Sequence, residues 1–246
     1  SWLVPVVSDS MAKVIEVETT STGDAVAAGS FRDTVVIAGV TLATGTPGRS
    51  GGFVARFDDQ GELQWAVPVT GEGFEGITDL QVGPDDAIYV QGRLSANLTV
   101  STAELSSTTG REMYLAKLTP MGGCEAALLL GRVGLTGPGS VVVVDDAIYV
   151  SWNYDSTMVI GSTTVEPGNV GVSDFFVAKF DSLSSMTGIS SMTSGRDGRL
   201  NIYANPSNGL CTIDLPRALR TTDDLILTIF GPSGELNRRL PLPRPG

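Results

Sequence analysis

Four adjacent aspartate pairs, Asp58–Asp59, Asp85–Asp86, Asp145–Asp146 and Asp223–Asp224, stand in a chain of 246 residues with 27 acids, 16 basic residues and no histidine. Paired carboxylates invite calcium, which takes roughly six to eight oxygens from a loop with alternating ligands. None of the four stretches carries the D-x-D-x-D-G spacing, and an aspartate that hydrogen-bonds its own turn accounts for the first three pairs. Two carboxylates held about 5–10 Å apart would serve glycan hydrolysis, but nothing along the chain singles out one pair. Without histidine, Ser-His-Asp and Cys-His nucleophiles and histidine-bearing zinc sites are excluded. Cys124 and Cys211 lack metal spacing, and two separate buried thiols are favoured over one bridge. The expectation is a non-catalytic chain without a cofactor, calcium being the one metal weighed.

Two further groups are suited to binding. Trp152, Tyr154 and Phe31 follow strand-like segments where loops begin; exposed aromatics there would stack on sugar rings or a protein partner, but for Trp152 and Tyr154 packing is the favoured reading. Trp2 and Trp65 instead share a repeated context and are expected to pack. Residues 193–246 hold seven arginines, Arg196, Arg199, Arg217, Arg220, Arg238, Arg239 and Arg244, against five acids, which leaves −13 on the first 192 residues of a chain whose net charge is −11. Arg217, Arg220, Arg238 and Arg239 are therefore candidates for meeting an acidic surface, another copy of the chain included, the equal alternative being that arginine replaces lysine as the solvating cation.

The elements that would position these groups come from a repeat. "DDAIYV" occurs at 85–90 and at 145–150. Around it, "DAVAAGSF" (24–31), "AIYVQGRL" (87–94), "AIYVSWNY" (147–154) and "NIYANPSN" (201–208) align. Val26, Tyr89, Tyr149 and Tyr203 then share one column at spacings of 63, 60 and 54. Each is followed by a second motif, "FVARFDDQGELQW", "YLAKLTPMGGCEA", "FVAKFDSLSSMTG" and "ILTIFGPSGELNR". A shorter β-like piece lies between: "TVVIAG", "LTVSTA", "MVIGST" and "CTIDLP". Period-two alternation with Gly- and Asp-bearing turns reads as four short antiparallel strands per unit. That pattern at this period describes a propeller blade, which hides its apolar faces on its neighbours. The fold expected is an all-β propeller with repeats near 9–71, 72–131, 132–192 and 193–246.

"DDAIYVQG", "SDFFVAKFDSLSS" and "GGFVARFDDQGELQW" resemble the bacterial SBBP-type β-propeller repeat. The likeness spans nearly the whole chain and is poorest in the fourth repeat, where "LILTIFGPSGEL" loses the Ala-Lys centre. It implies a propeller scaffold in a secreted or cell-surface protein, and it carries no catalytic residues to transfer. "WLVPV" at 2–6 matches "WAVPV" at 65–69, so residues 1–8 are expected to form the last strand of a preceding or partner blade. The opening Ser1 fits a processed or excised chain. An unpaired strand of this kind invites β-addition.

The acidic balance argues against nucleic acid, which needs clustered cations. With three lysines, Lys13, Lys117 and Lys179, a polybasic anchor is not expected, and no apolar run reaches the ~18–20 residues of a spanning helix. The function expected is protein binding or scaffolding within a larger bacterial assembly, outside the cytoplasm. A lectin-like propeller is the alternative, and a carboxylate-based glycan hydrolase or lyase the third reading.

Overall fold

Alternating segments closed by Gly and Asp turns make strands throughout. The computed structural model describes residues 1–73, 75–107, 110–132, 139–145, 147–160, 163–169 and 172–181. Beyond these it describes the strand backbones Asn201–Asn205, Leu210–Asp214, Ile226–Phe230 and Leu236–Pro241. All regular structure among them is β. The chain divides into two units, Ser1–Ile189 and Ser190–Gly246.

The first unit opens with β1 (Val6–Val7). Its first repeat is the antiparallel meander β2 (Met11–Thr19), β3 (Ala25–Arg32), β6 (Ser50–Phe57) and β7 (Leu63–Gly71). Asp58 closes the β6–β7 turn: its Oδ1 accepts the Gln60 and Glu62 amides at 3.0 and 2.9 Å, with Gly61 at φ +82°. The second repeat repeats the order with β8 (Gly76–Val82), β9 (Ile88–Leu94), β12 (Glu112–Leu118) and β13 (Cys124–Arg132). In the third, β14 (Ser140–Val144), β15 (Ala147–Tyr154) and β18 (Asp174–Phe180) form the equivalent sheet. Val26, Tyr89 and Tyr149 stand at matching places on the second strands, opposite Arg56, Lys117 and Lys179. Tyr203 lies in the second unit, on β19 (Asn201–Asn205), which pairs with β20 (Leu210–Asp214). That unit also holds the hairpin of β21 (Ile226–Phe230) with β22 (Leu236–Pro241).

Four-stranded meanders stand in the first two repeats as expected, but the short middle piece assigned to them is not one of their strands. Each short piece between the second and third strands folds as an extra hairpin: β4 (Thr34–Ile37) with β5 (Val40–Ala43), β10 (Asn97–Val100) with β11 (Ala103–Ser106), and β16 (Met158–Ile160) with β17 (Thr163–Val165). The first of these turns through Ala38 and Gly39, both at positive φ, as a primed two-residue turn requires.

The hairpin of the second repeat does not extend its own sheet. β10 pairs with β7 of the first, Leu98 opposite Gly71 and Val100 opposite Val69, so one six-stranded sheet joins two repeats. β1 pairs with β4 in the corresponding register, Val6 opposite Ile37 and Val7 opposite Val36. Trp2 packs on Gly61 as Trp65 packs on Gly122. Residues 1–7 thus hold, beside the first repeat, the place that β7 holds beside the second. Gly71 permits the β7–β10 join, because a Cβ there would run into the Asn97 carbonyl oxygen. Gly71→Ala is expected to lower stability by about 1–3 kcal/mol, read as a shift in urea midpoint, with faster amide exchange at Leu98–Val100.

Candidate interaction surface

The face between the second and third repeats shows what one repeat offers the next. Tyr89, Met113 and Leu115 point from the second repeat into a cluster with Val141, Val143, Ile148 and Val150 of the third. Polar side chains fasten the same joint. Asp79 accepts hydrogen bonds from the Ser140 hydroxyl at 2.9 Å and the Val141 amide at 2.7 Å. Gln81 accepts from the Val143 amide at 2.6 Å, and the buried Gln91 donates to the Ser151 carbonyl at 3.0 Å. The joint before it uses Asp86, whose carboxylate accepts the Ser21 amide at 2.7 Å and hydroxyl at 2.6 Å. Those bonds hold Asp86 below the usual aspartate range.

Register identifies the same positions one repeat later. Tyr149, Phe175 and Val177 take the places of Tyr89, Met113 and Leu115, because Lys179, Val177 and Phe175 oppose Tyr149, Ser151 and Asn153 just as Lys117, Leu115 and Met113 oppose Tyr89, Gln91 and Arg93. Met113 and Leu115 are 0% exposed and Tyr89 8%, whereas Phe175 is 73%, Val177 67% and Tyr149 37% exposed. Val142 and Val144 are exposed on β14 beside them. Where the earlier repeats carry Glu16 with Glu18 and Asp79 with Gln81, the third carries Ser140 and Val142. Within the first unit taken by itself, the result is an uncovered, largely aliphatic and aromatic sheet face, of the kind that marks interaction sites.

The aromatic residues expected to meet sugars do not lie on this face. Trp152 is 3% and Tyr154 7% exposed, both within the core between the second and third repeats, and Phe31 is fully buried. Stacking on a glycan is closed to them: the packing reading holds for Trp152 and Tyr154, and the contact reading is corrected. Trp152 occupies the column of Gly29 and Gly92. In those repeats the ring of the opposite residue, Phe53 or Tyr114, covers the glycine so closely that a Cβ would strike it. In the third repeat the indole fills the volume itself, next to Phe176 across the strand pair. Arg238 and Arg239 lie on β22, while Arg217 and Arg220 fall outside the described residues. The open face was not among the candidates. Its signal was the column in which Asp79 and Gln81 give way to Ser140 and Val142.

Among the described residues, Asp58, Asp85 and Asp86 are engaged by their turns or by a neighbouring repeat. Asp85 accepts the Ala87 amide at 3.3 Å and pairs with Lys117 at 3.3 Å. Asp223, Asp224 and Asp146 fall outside the described residues. Among the described residues, no group of three or more Asp, Glu or Cys side chains is arranged to hold a metal ion, and no helix is long and apolar enough to cross a membrane. Cys124 is a free thiol, half-buried, and burial pushes it up to about 11.

One carboxyl is set apart. Glu75, on the crossover from β7 to β8, is 3% exposed; its Oε1 accepts the Gly73 amide at 3.0 Å, while its Oε2 meets no hydrogen-bond donor at normal geometry among the described residues. Burial raises it above the usual glutamate range, against the pull of that amide and of the Arg49 charge. A carboxyl raised in the folded state imposes no penalty below the ordinary glutamate range, and the penalty grows as pH climbs through that range to the folded value. Glu75→Gln is therefore expected to gain stability over the wild type as pH rises from about 4 to about 8, the two converging at the acid end. Paired urea titrations along that series check it.

No protein-family model matches the chain, and no curated protein sequence matches it.

Proposed function

We propose that the chain is a non-catalytic β-propeller segment, secreted or displayed at the cell surface, that serves as a protein-binding, scaffolding component of a larger bacterial assembly. Its repeats are the blades. Successive antiparallel meanders packed face to face in the first unit support the propeller, and the motif likeness to SBBP-type repeats supports the extracytoplasmic setting. One observation carries the binding role: Tyr149, Phe175 and Val177 stand open where their counterparts Tyr89, Met113 and Leu115 are covered. Leaving such a face in water forfeits on the order of 25 cal/mol for each Å² of apolar surface, so a partner that covers it gains that burial.

The test is site-specific photocrosslinking in the producing bacterium. A benzophenone side chain at position 175 is expected to give a discrete adduct with another protein in the secreted or surface fraction. The same group at the exposed Met121, on the β12–β13 turn, is expected to give none. Absence of any adduct at 175 would remove the support for a scaffold.

A further inference from the structure

Glu75 lies where the hairpin of the second repeat reaches the sheet of the first. Its amide donates to the Ser50 carbonyl at the start of β6 at 3.4 Å, and its Oε1 accepts the Gly73 amide. The Ser95 amide, on the turn between β9 and β10, also faces its carboxyl. Gly73 lies so close to that turn that a Cβ there would strike the Ser95 hydroxyl and crowd the Ala96 methyl. Glu72 completes the contact: its amide donates to the Asn97 carbonyl at 3.2 Å, and its Oε2 accepts from Asn97 Nδ2 at 3.1 Å. One residue further on, the β7–β10 ladder begins with Leu98 opposite Gly71. A carboxyl that is almost wholly buried thus stands at the root of the join that makes one sheet of two repeats.

We infer that Glu75 is a proton-operated latch: protonated, it fastens the β10–β11 hairpin of the second repeat to β7 of the first, and ionised, it loosens that hold. A neutral carboxyl is tolerated in such a place, whereas a buried carboxylate costs free energy until donors or water reach it. Hydrating it means parting the packing around it. On the side of the second repeat that packing is the contact of Glu72 and Gly73 with Ser95, Ala96 and Asn97, which seats β10. The charged and titratable groups around the carboxyl are Glu72 beside it, Arg49 ahead of β6, Arg93 opposite Gly76, and Glu112 and Tyr114 on β12. The Arg49 charge and the amides favour the ionised form, but burial outweighs them, so release comes above the ordinary glutamate range. The hold is therefore complete at acid pH and is lost as pH rises through the folded value. The latch lies between the first two repeats, apart from the face proposed to bind protein.

Native-state hydrogen exchange on the full chain tests the latch from about pH 4 to about pH 8, with rates corrected for the intrinsic pH dependence of exchange. Protection of the Leu98–Val100 amides is expected to fall as pH rises, by up to about tenfold for each unit separating the folded carboxyl from an ordinary one. The opening is local, so at low urea the exchange of these amides is expected to depend weakly on urea. Glu75→Gln, which keeps the shape and removes the charge, is expected to hold their protection level across the series. A second measurement needs no variant: the fall in the wild type is expected to level off where the Glu75 carboxyl carbon titrates by NMR. Wild-type protection that stays level with pH would overturn the latch. So would a fall that carries the full urea dependence of global unfolding, or one that persists in Glu75→Gln or levels off away from the Glu75 titration.

Discussion

Leu115→Ala is expected to cost about 2–5 kcal/mol, while Val177→Ala, the same column one repeat later, is expected to change stability by no more than about 0.5 kcal/mol. The chemistry of the two truncations is similar and the secondary structure is the same. What differs is the neighbour. Leu115 is fully enclosed among Met113, Val141, Val143 and the rest of the core between the second and third repeats, so deleting its methyl groups leaves a cavity that the strands fill only in part. Val177 is two-thirds exposed, so its methyl groups lose little on removal. Urea titrations with unchanged slopes, run dilute enough to keep the chain monomeric, measure both. Equal costs at the two positions would mean that the third-repeat face is covered in solution.

Trp152→Ala is expected to cost about 3–5 kcal/mol and to act on folding alone. The indole fills a volume that Tyr114 fills in the second repeat and Phe53 in the first, and its own backbone column carries glycine in both. Truncation empties that space, and no neighbouring ring is placed to take it over, because Phe176 already packs against Tyr154 with ring centroids 6.4 Å apart. The check is that any binding lost in the variant follows its unfolding curve and returns under conditions where it is fully folded. Binding lost by a fully folded variant would restore Trp152 as a contact residue.

The meander was legible because its signals are strong and local. The identical hexapeptide put Tyr89 and Tyr149 in one column, and the Asp58 and Gly61 turn announced the β6–β7 hairpin. The inserted hairpins were not legible as pairs of strands. Their turns place Ala38 and Ser101 at positive φ, which neither residue favours, so the Asn-Gly or Asp-Gly punctuation that would have divided "TVVIAG" or "LTVSTA" is absent. That Trp152 packs was legible as the favoured reading; what it packs into was not, because a glycine and the ring that covers it form one packing unit and either member can supply the bulk. The binding face was hidden because exposure depends on which repeat follows, and the residues themselves, Tyr and branched aliphatics, are those that pack when a neighbour is present.

The loan of β10 to the sheet of the preceding repeat bears on how such a gene changes length. The stretch that repeats in sequence and the stretch that folds are out of phase here: the second repeat brings the hairpin that finishes the sheet of the first. Inserting a whole copy leaves that ladder supplied, provided the newcomer keeps a small residue where Gly71 stands, opposite the Leu98 equivalent of the repeat that follows. Deleting one forces a strand such as β7 to accept a hairpin that diverged beside a different neighbour. Recombination at this boundary is therefore filtered at the three-residue β7–β10 ladder, where a single side chain decides whether two strangers fit.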